Sequence, residues 1–295
     1  MDEFTGWSRD LVVSGDGKNL VSHAGTAALR MLADRVGLTA KLSKALRRRG
    51  FVPVHDRGRV LVDLAVSIAD GAEIISGIDA LGESEELYGP VASVPTAWRC
   101  LDEIAGVGEP GRARIMRAVS TARAQVWDQI VDRHGGLPPI RVADQQIRGM
   151  VGIGIDATLV SAHSDKQHAT PTWKKGFGFH PLLAYCDNTT EPLAGMLRPG
   201  RAGSNTAADH LTVVDDAIAA VPAKHRRRLL VSVDGAGASH ELINHLDTLS
   251  ARPGWVLWWT VGWELGERGT TSHQPGSAAG VAGGHRHRRS SPHPP

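Results

Sequence analysis

Between residues 20 and 135, apolar side chains recur at intervals of three and four, which is the spacing of amphipathic α-helices. The first series comprises Ala28, Leu29, Leu32 and Val36. Gly37 interrupts this series, and Thr39 behind it is a candidate N-cap for a second helix. The break between the two series predicts a helix–turn–helix outline near the start of the chain.

Two further series predict additional helices in this region. Their apolar positions are Leu61, Leu64, Ala65 and Ile68 in one helix, and Ile115, Val119, Ala122, Val126 and Ile130 in a longer one. Glycine and proline in the segment HGGLPPIRV, residues 134–142, stop any helix and mark the best boundary between regions. We therefore interpret residues 1–140 as a helical region.

Over residues 141–268, the pattern changes to strands alternating with helices. Five segments have the composition of strands: VGIGIDATLV, FHPLLAYCD, PLAGMLRPG, RRLLVSVDG and GWVLWWTVGW. Apolar helix faces precede and follow the fourth strand, at Leu211, Val214, Ile218 and Val221 and at Leu242, Ile243, Leu246 and Leu249. In the last strand, Trp255, Leu257, Trp259, Val261 and Trp263 alternate to one face. Three strands followed by helix–strand–helix–strand predict an α/β fold with a mixed sheet and flanking helices.

The end of the chain, residues 269–295, has a different character. It contains no Leu, Ile, Phe, Trp or Tyr and shows no periodicity. Such a segment cannot bury a core, so we expect it to be disordered. Its abrupt start after a tryptophan-rich strand is typical of an out-of-frame tail.

Composition narrows the functional classes. The 295 residues are 41% hydrophobic and 22% charged with a net charge of +2, which is ordinary for a globular protein and excludes a polycation. Any nucleic-acid surface must therefore come from local clusters of basic residues. The two cysteines, Cys100 and Cys186, have no metal-ligand spacing and are expected to be reduced thiols. Without a long apolar run or a signal-peptide pattern, we expect a cytoplasmic protein that has no membrane partner.

Two aspartates lie at the ends of otherwise apolar strands. Asp156 shares a strand face with Gly152 and Gly154, and Asp234 directly follows Val233. A buried carboxylate needs an arginine, a capping role or a cation to offset its desolvation. Oxygen ligands at adjacent strand ends suit Mg²⁺, whereas an aspartate before Gly-Ala-Gly also commonly starts a turn. The spacing alone leaves these alternatives open.

The order strand–Asp, hairpin, helix, strand–Asp and helix resembles the ribonuclease H-like core of the DDE transposases of bacterial insertion sequences. Three segments carry the resemblance, which extends over residues 10–265: GIGIDATLVSAHSDKQHATPTWKKGFGFHPLLAYCDNTTEPLAGMLRPG, LLVSVDGAGASHELINHL and the upstream SVPTAWRCLDEI. It implies a helical DNA-binding region followed by an incomplete ribonuclease H-like domain. It also implies that Asp156 and Asp234 are catalytic residues and the first two ligands of a pair of Mg²⁺ (or Mn²⁺) ions.

The same resemblance implies which partners the chain would bind, and it also shows where the sequence departs from the family. The DNA partner would be the double-stranded terminal inverted repeats of a transposon, bound by a homodimer or by a complex with full-length transposase. The family's third acid is a glutamate on a helix after the last core strand, and this sequence has no such helix. Glu264 and Glu267 directly follow the fifth strand and come too early. We therefore expect a truncated or frameshifted chain that is catalytically incomplete.

Several basic clusters are candidate DNA contacts. They are Lys41, Lys44, Arg47, Arg48 and Arg49 behind the Gly37 break, Arg99 beside Thr96, and Lys174 and Lys175 between the first two strands. Together with Arg226, Arg227 and Arg228, the two lysines are expected to flank the acidic site. Each cluster is also explained by a solvated surface, so that alternative stays open.

Three hypotheses follow. The first is a transposase fragment that binds DNA and belongs to a family that transposes DNA by metal-dependent phosphoryl transfer, but is inactive alone. The second is a non-catalytic regulator that occupies transposon ends. The third is an unrelated metal-dependent nuclease with the same fold.

Overall fold

The structure is a computed structural model that describes residues 23–142, 144–162, 166–203, 206–234 and 239–262. The chain divides into two compact units, and the division falls after Val126. The segment 269–295, for which disorder was predicted, lies outside the described residues, as do Trp263, Glu264 and Glu267. No helix in the described part of the chain combines the length and the apolarity that crossing a bilayer requires.

The first unit is built from helices. In chain order, the α-helices are α1 (Ala27–Arg35), α2 (Leu38–Leu46), α3 (Arg57–Ala69), α4 (Asp79–Gly82), α5 (Glu85–Tyr88), α6 (Val94–Val107) and α7 (Glu109–His134), and the division between the units falls within α7. The break between α1 and α2 lies at Gly37, as predicted. Its φ of +69° is readily adopted only by residues such as glycine, and Gly37 itself occupies the N-cap position of α2. The predicted cap, Thr39, instead lies inside α2 and donates a hydrogen bond to Asp34 at 2.5 Å.

The face that α3 buries differs from the sequence prediction. The predicted stripe included Ile68, which is 67% exposed, and Ala65, which is also exposed. The buried apolar residues of α3 are Val60, Val62, Leu64 and Val66. Because α1, α2, α4 and α6 all pack against α3, most of its circumference is enclosed and a single stripe does not describe it.

The second unit contains a five-stranded mixed sheet and two shorter sheets. Its strands are β1 (Ile140–Val142), β2 (Gln145–Ile147), β3 (Val151–Ala157), β4 (Val160–Ser161), β5 (Thr170–Pro171), β6 (Phe177–Phe179), β7 (Leu182–Cys186), β8 (Glu191–Met196), β9 (Arg228–Val233) and β10 (Val256–Val261). The main sheet has the order β10-β9-β3-β7-β8, in which β7 and β8 are antiparallel to β3 or to each other, and β9 and β10 run parallel to β3. This arrangement confirms the predicted mixed α/β class.

Helices cover the main sheet and complete its core. Helix α8 (Ala207–Ala220) packs against β7 and β8, and α9 (His240–Ser250) packs against β10 and α8. In β10, Leu257 and Val261 are buried, and Trp259 packs against the same core, as does Trp255 just before the strand. The predicted alternation therefore holds over the described part of this segment. The sequence did not indicate the β1–β2 hairpin or the small sheet β4-β6-β5, whose strands have only two or three residues each.

Candidate active site

Asp156 and Asp234 lie at the same edge of the main sheet. Strands β3 and β9 run parallel, with Ile155 paired to Val233, and each aspartate is the next residue along its strand. Both side chains are exposed. Because the register brings two carboxylates to one sheet edge, a single diffusing ligand could contact both.

The two aspartates line a cleft of about 550 Å³ in the second unit. Its described lining comprises Ile155, Asp156, Ala157, Trp173, His180, Leu182, Gly200, Arg201, Ala202, Gly203, His210, Val233 and Asp234. Asp156 and Asp234 are the only acidic residues in this set. The cleft therefore combines carboxylates, two histidines, one arginine and one exposed aromatic ring.

One wall of the cleft is held by a buried arginine that the sequence reading missed. The guanidinium of Arg198 is 3% exposed and donates to the carbonyl of His180 at 2.9 Å and to that of Gly203 at 3.2 Å. It also pairs with Asp209 of α8 at 3.3 Å. These contacts tie the residue after β6, the segment 199–203 and α8 together, so Arg198 fixes the shape of the wall.

His180 and His210 were also absent from the sequence prediction. Nδ1 of His180 lies 2.9 Å from the carbonyl of Ala202, and Nδ1 of His210 lies 3.0 Å from that of Thr206. Burial lowers the pKa of His210, which favours its neutral form at neutral pH. Neither histidine belongs to a recognisable motif, so the fold alone reveals their position.

The close approach of a neighbouring side chain explains why β3 contains two glycines. Gly152, Gly154 and Asp156 share one face of β3, and the Asp187 carboxylate lies over the two glycines. A Cβ atom on Gly152 or Gly154 would lie 2.7 or 2.8 Å from an oxygen of Asp187. Burial raises the pKa of Asp187. This third carboxylate follows β7 and does not line the cleft.

The donor atoms of the cleft suit a divalent cation in part. Carboxylate oxygens are the ligands that Mg²⁺ and Mn²⁺ prefer, and Asp156 and Asp234 supply them side by side. Within the described ranges, no group of three or more histidine, cysteine, aspartate or glutamate side chains is arranged to hold a metal. The residues therefore fit one part of a cation site.

The two basic clusters predicted to flank the acidic site lie at different places in the second unit. Lys174 and Lys175 are exposed in the β5–β6 hairpin, next to the cleft residue Trp173. Arg228 begins β9, at the opposite end of the strand from Asp234, roughly 20 Å away at the usual rise per residue. The prediction that residues 226–228 flank the acidic site is therefore wrong. Arg226 instead donates to the carbonyls of Ala219 and Val221 at the end of α8.

In the first unit, the arginines behind Gly37 do not lie on a helix. Helix α2, the second helix of the predicted helix–turn–helix outline, ends at Leu46, so Arg47, Arg48 and Arg49 follow it in an exposed segment. Lys44 is exposed on α2, whereas the ammonium of Lys41 donates to Gln125 at 2.7 Å.

Glu103 of α6 pairs with basic residues from this surface. Arg57 donates to both Glu103 oxygens, at 2.8 and 2.9 Å, and Arg48 lies 3.7 Å from the same carboxylate. The hydrogen bonds from Arg57, followed by the charges of Arg57, Arg48 and Arg99, hold the pKa of Glu103 below its usual value. The segment 47–49 and the exposed side of α6 with Arg99 thus belong to one surface.

Comparison with known proteins gives a family and a likeness to solved structures. Residues 5–252 match the family described as transposase DDE domain group 1. Among curated proteins, none matches the chain significantly. A solved piggyBac transposase, in a synaptic complex with hairpin DNA, is similar over 85% of this chain, with 14% identity and a TM-score of 0.35. The match covers 52% of that structure's chain, so this chain spans about half its length.

Proposed function

This chain belongs to the DDE transposase family, and from that premise we propose that it binds the DNA ends of an insertion sequence at the cleft of Asp156 and Asp234. The observation that carries the proposal is the parallel pairing of Ile155 with Val233, which brings both aspartates to one cleft. The reaction class is phosphoryl transfer between DNA strands. The ribonuclease H-like character of the core is part of the proposal, and the sheet order β10-β9-β3-β7-β8 supports it.

Asp156 and Asp234 would hold Mg²⁺ or Mn²⁺. When bound, such ions activate a water or a 3′-hydroxyl and stabilise the charge on the leaving oxygen. The chain's own side chains then have to orient the DNA. Lys174, Lys175 and Arg201 are exposed in or beside the cleft, where they can contact phosphate oxygens without reading sequence.

Sequence recognition is assigned to the first unit. Arg47, Arg48 and Arg49 provide an exposed basic segment, and α6 exposes Trp98 and Arg99, of which Arg99 lies on the surface that Glu103 shares with Arg48. A helix that presents polar and aromatic side chains near its N-terminal end suits the major groove of double-stranded DNA. We propose that this surface reads the terminal inverted repeats.

The test is a binding comparison on two duplexes of equal length. One carries the inverted repeat that flanks the gene, and the other carries the same bases in scrambled order. Fluorescence anisotropy at fixed salt should give tighter binding to the repeat, because base contacts add to the phosphate contacts that both duplexes offer. Equal affinity for the two duplexes, or no binding to either, would contradict the proposal.

A second candidate function is a regulator that occupies transposon ends without cutting them. The observation in its favour is that Asp156 and Asp234 are the only acidic side chains among the described residues that line the cleft. Added to a reaction of active full-length transposase on the same ends, such a regulator should inhibit cleavage in proportion to its concentration. A chain that leaves this cleavage unchanged is not a regulator.

A further inference from the structure

An indole ring stands at the rim of the cleft that contains the two aspartates. Trp173 is 71% exposed and lies in the turn between β5 and β6. Exposure of a single large apolar residue is common and by itself indicates nothing. The informative fact is that this ring lines the same cleft as Asp156 and Asp234.

The turn that carries the ring has a defined geometry. The amide of Thr172 donates to the carbonyl of Gly176 at 2.8 Å, and the amide of Lys175 donates back to the carbonyl of Thr172 at 3.0 Å. The amide of Gly176 also donates to the hydroxyl of Thr172 at 3.1 Å. Three hydrogen bonds within five residues fix the backbone on both sides of Trp173.

The base of the hairpin is fastened to the wall of the cleft. The amide of Gly200 donates to the carbonyl of Gly178 at 3.0 Å, and the amide of Arg201 donates to the hydroxyl of Thr170 at 2.8 Å. The approach is close enough that a Cβ on Gly200 would lie 2.4 Å from the Thr170 carbonyl. The buried Arg198 holds this wall in turn. The position of the ring relative to the cleft is therefore set by the fold.

The charges around the ring are those of a nucleic-acid contact. The ammonium of Lys174 lies 5.0 Å from the centroid of the Trp173 ring, and Lys175 and Arg201 are exposed nearby. An aromatic ring flanked by cations suits a nucleobase that stacks on the ring while its phosphates meet the cations. A base inside a duplex is already stacked on its neighbours, so only an unpaired base can reach such a ring.

We propose that Trp173 is a stacking platform for an unpaired nucleobase whose neighbouring phosphates lie in the cleft. The inference rests on the proposed function and adds to it a preference for DNA with an unpaired end over fully paired DNA. Stacking uses the π-face that every base has, so the preference is tolerant of base identity.

The test uses the full chain and three DNA probes without added metal. The probes are a paired duplex of the inverted repeat, the same duplex with a single-stranded 3′ tail, and that tailed duplex with abasic tail positions. Wild-type protein should bind the tailed duplex about tenfold more tightly than the abasic version, since one stacked base contributes about that factor. Trp173→Ala should lose this difference, and Trp173→Phe should keep most of it. Trp258→Ala is the matched control, because Trp258 is 55% exposed on β10 and does not line the cleft.

Each outcome of this experiment supports or overturns the stacking role of Trp173. Equal binding of tailed and abasic probes by the wild-type chain overturns the stacking platform without any variant, so misfolding of a variant cannot obscure the result. If Trp173→Ala still prefers the tailed probe over the abasic one, another residue contacts the base, and the stacking platform is also overturned. Binding to the paired inverted repeat alone leaves the proposed function intact and removes only this inference. Failure to bind any of the probes overturns both.

Discussion

Arg30 and Asp63 face each other inside the first unit, with 3.1 Å between Nε of Arg30 and Oδ1 of Asp63. Arg30 is 7% exposed and Asp63 is fully buried. Burial raises the pKa of Asp63 to about 6, although the charge of Arg30 acts in the opposite direction. The same burial lowers the pKa of Arg30. Desolvation of the charges therefore outweighs their attraction at this site.

The first prediction concerns pH. The carboxyl of Asp63 loses its proton near pH 3.8 when unfolded but near pH 6 when folded, so the folded state binds more protons between these values. Its contribution to the free energy of unfolding should fall by up to about 3 kcal/mol as pH rises through that window. Urea unfolding of wild type and Asp63→Asn from pH 3.5 to 7 measures the difference. A difference that stays constant across the window would show that Asp63 does not titrate in this way.

The second prediction concerns the glycines of β3. Gly154→Ala should destabilise the second unit by about 1–3 kcal/mol, because its Cβ would lie 2.8 Å from Asp187 and nothing else is crowded there. Adding Asp187→Ala should relieve most of this loss. Gly152→Ala is the matched control, since its Cβ would also lie 3.0 Å from Ile140 and should be relieved less. Additive effects in the Gly154→Ala, Asp187→Ala pair would contradict the contact.

The third prediction concerns metal. Asp156→Ala and Asp234→Ala should each weaken Mn²⁺ binding by about tenfold or more, because each removes one of the two carboxylates in the described lining of the cleft. Isothermal titration calorimetry measures the change, and Asp132→Ala, an exposed aspartate of α7, is the control. Full Mn²⁺ affinity in either cleft variant would remove that aspartate from the site.

The fourth prediction concerns the exposed arginines behind α2. Replacing Arg47, Arg48 and Arg49 by glutamine should weaken binding to the inverted repeat and reduce its salt dependence, since fewer counterions are released. The triple lysine variant keeps the charges and should keep the salt slope. Because Arg48 contacts Glu103, thermal melting of both variants checks that α6 stays folded. An unchanged salt slope in the glutamine variant would exclude this segment from the DNA contact.

The fifth prediction concerns chemistry. The purified chain should neither cleave nor join inverted-repeat ends with Mn²⁺, because the two carboxylates among the described cleft residues leave a pair of cations under-coordinated. The control is a full-length active relative on its own ends. Cleavage by this chain that is lost in Asp156→Ala would assign a third acidic ligand to residues beyond those described, with Glu264 and Glu267 as the first to replace.

The strands of the main sheet and the position of both aspartates at strand ends were predictable because their signals are local. Apolar runs predicted β3 and β9, and an aspartate at the end of each run was visible directly in the sequence. The order of the strands in the sheet had no local signal in the sequence, and the burial of α3 on nearly all sides had none either. That burial depends on neighbouring helices, which no single period in the sequence encodes.

The cleft wall could not be predicted for a related reason. Arg198 resembles any surface arginine in the sequence, yet it is buried, and its acceptors, the carbonyls of His180 and Gly203, reach it only in the folded chain. The error on residues 226–228 has a geometric cause. Arg228 begins the strand that leads to Asp234 and Arg226 and Arg227 come just before it, but an extended strand holds its two ends far apart.

The pairing of Ile155 with Val233 also has a kinetic consequence. The two strands it joins are separated along the chain by a small sheet, the β7–β8 hairpin and α8, so their contact closes a long loop. Non-local parallel pairings form slowly, because chain entropy is lost before the contact returns any energy. The cleft therefore forms only after this late pairing. The rate at which Mn²⁺ binding returns during refolding would measure the rate at which β9 pairs with β3.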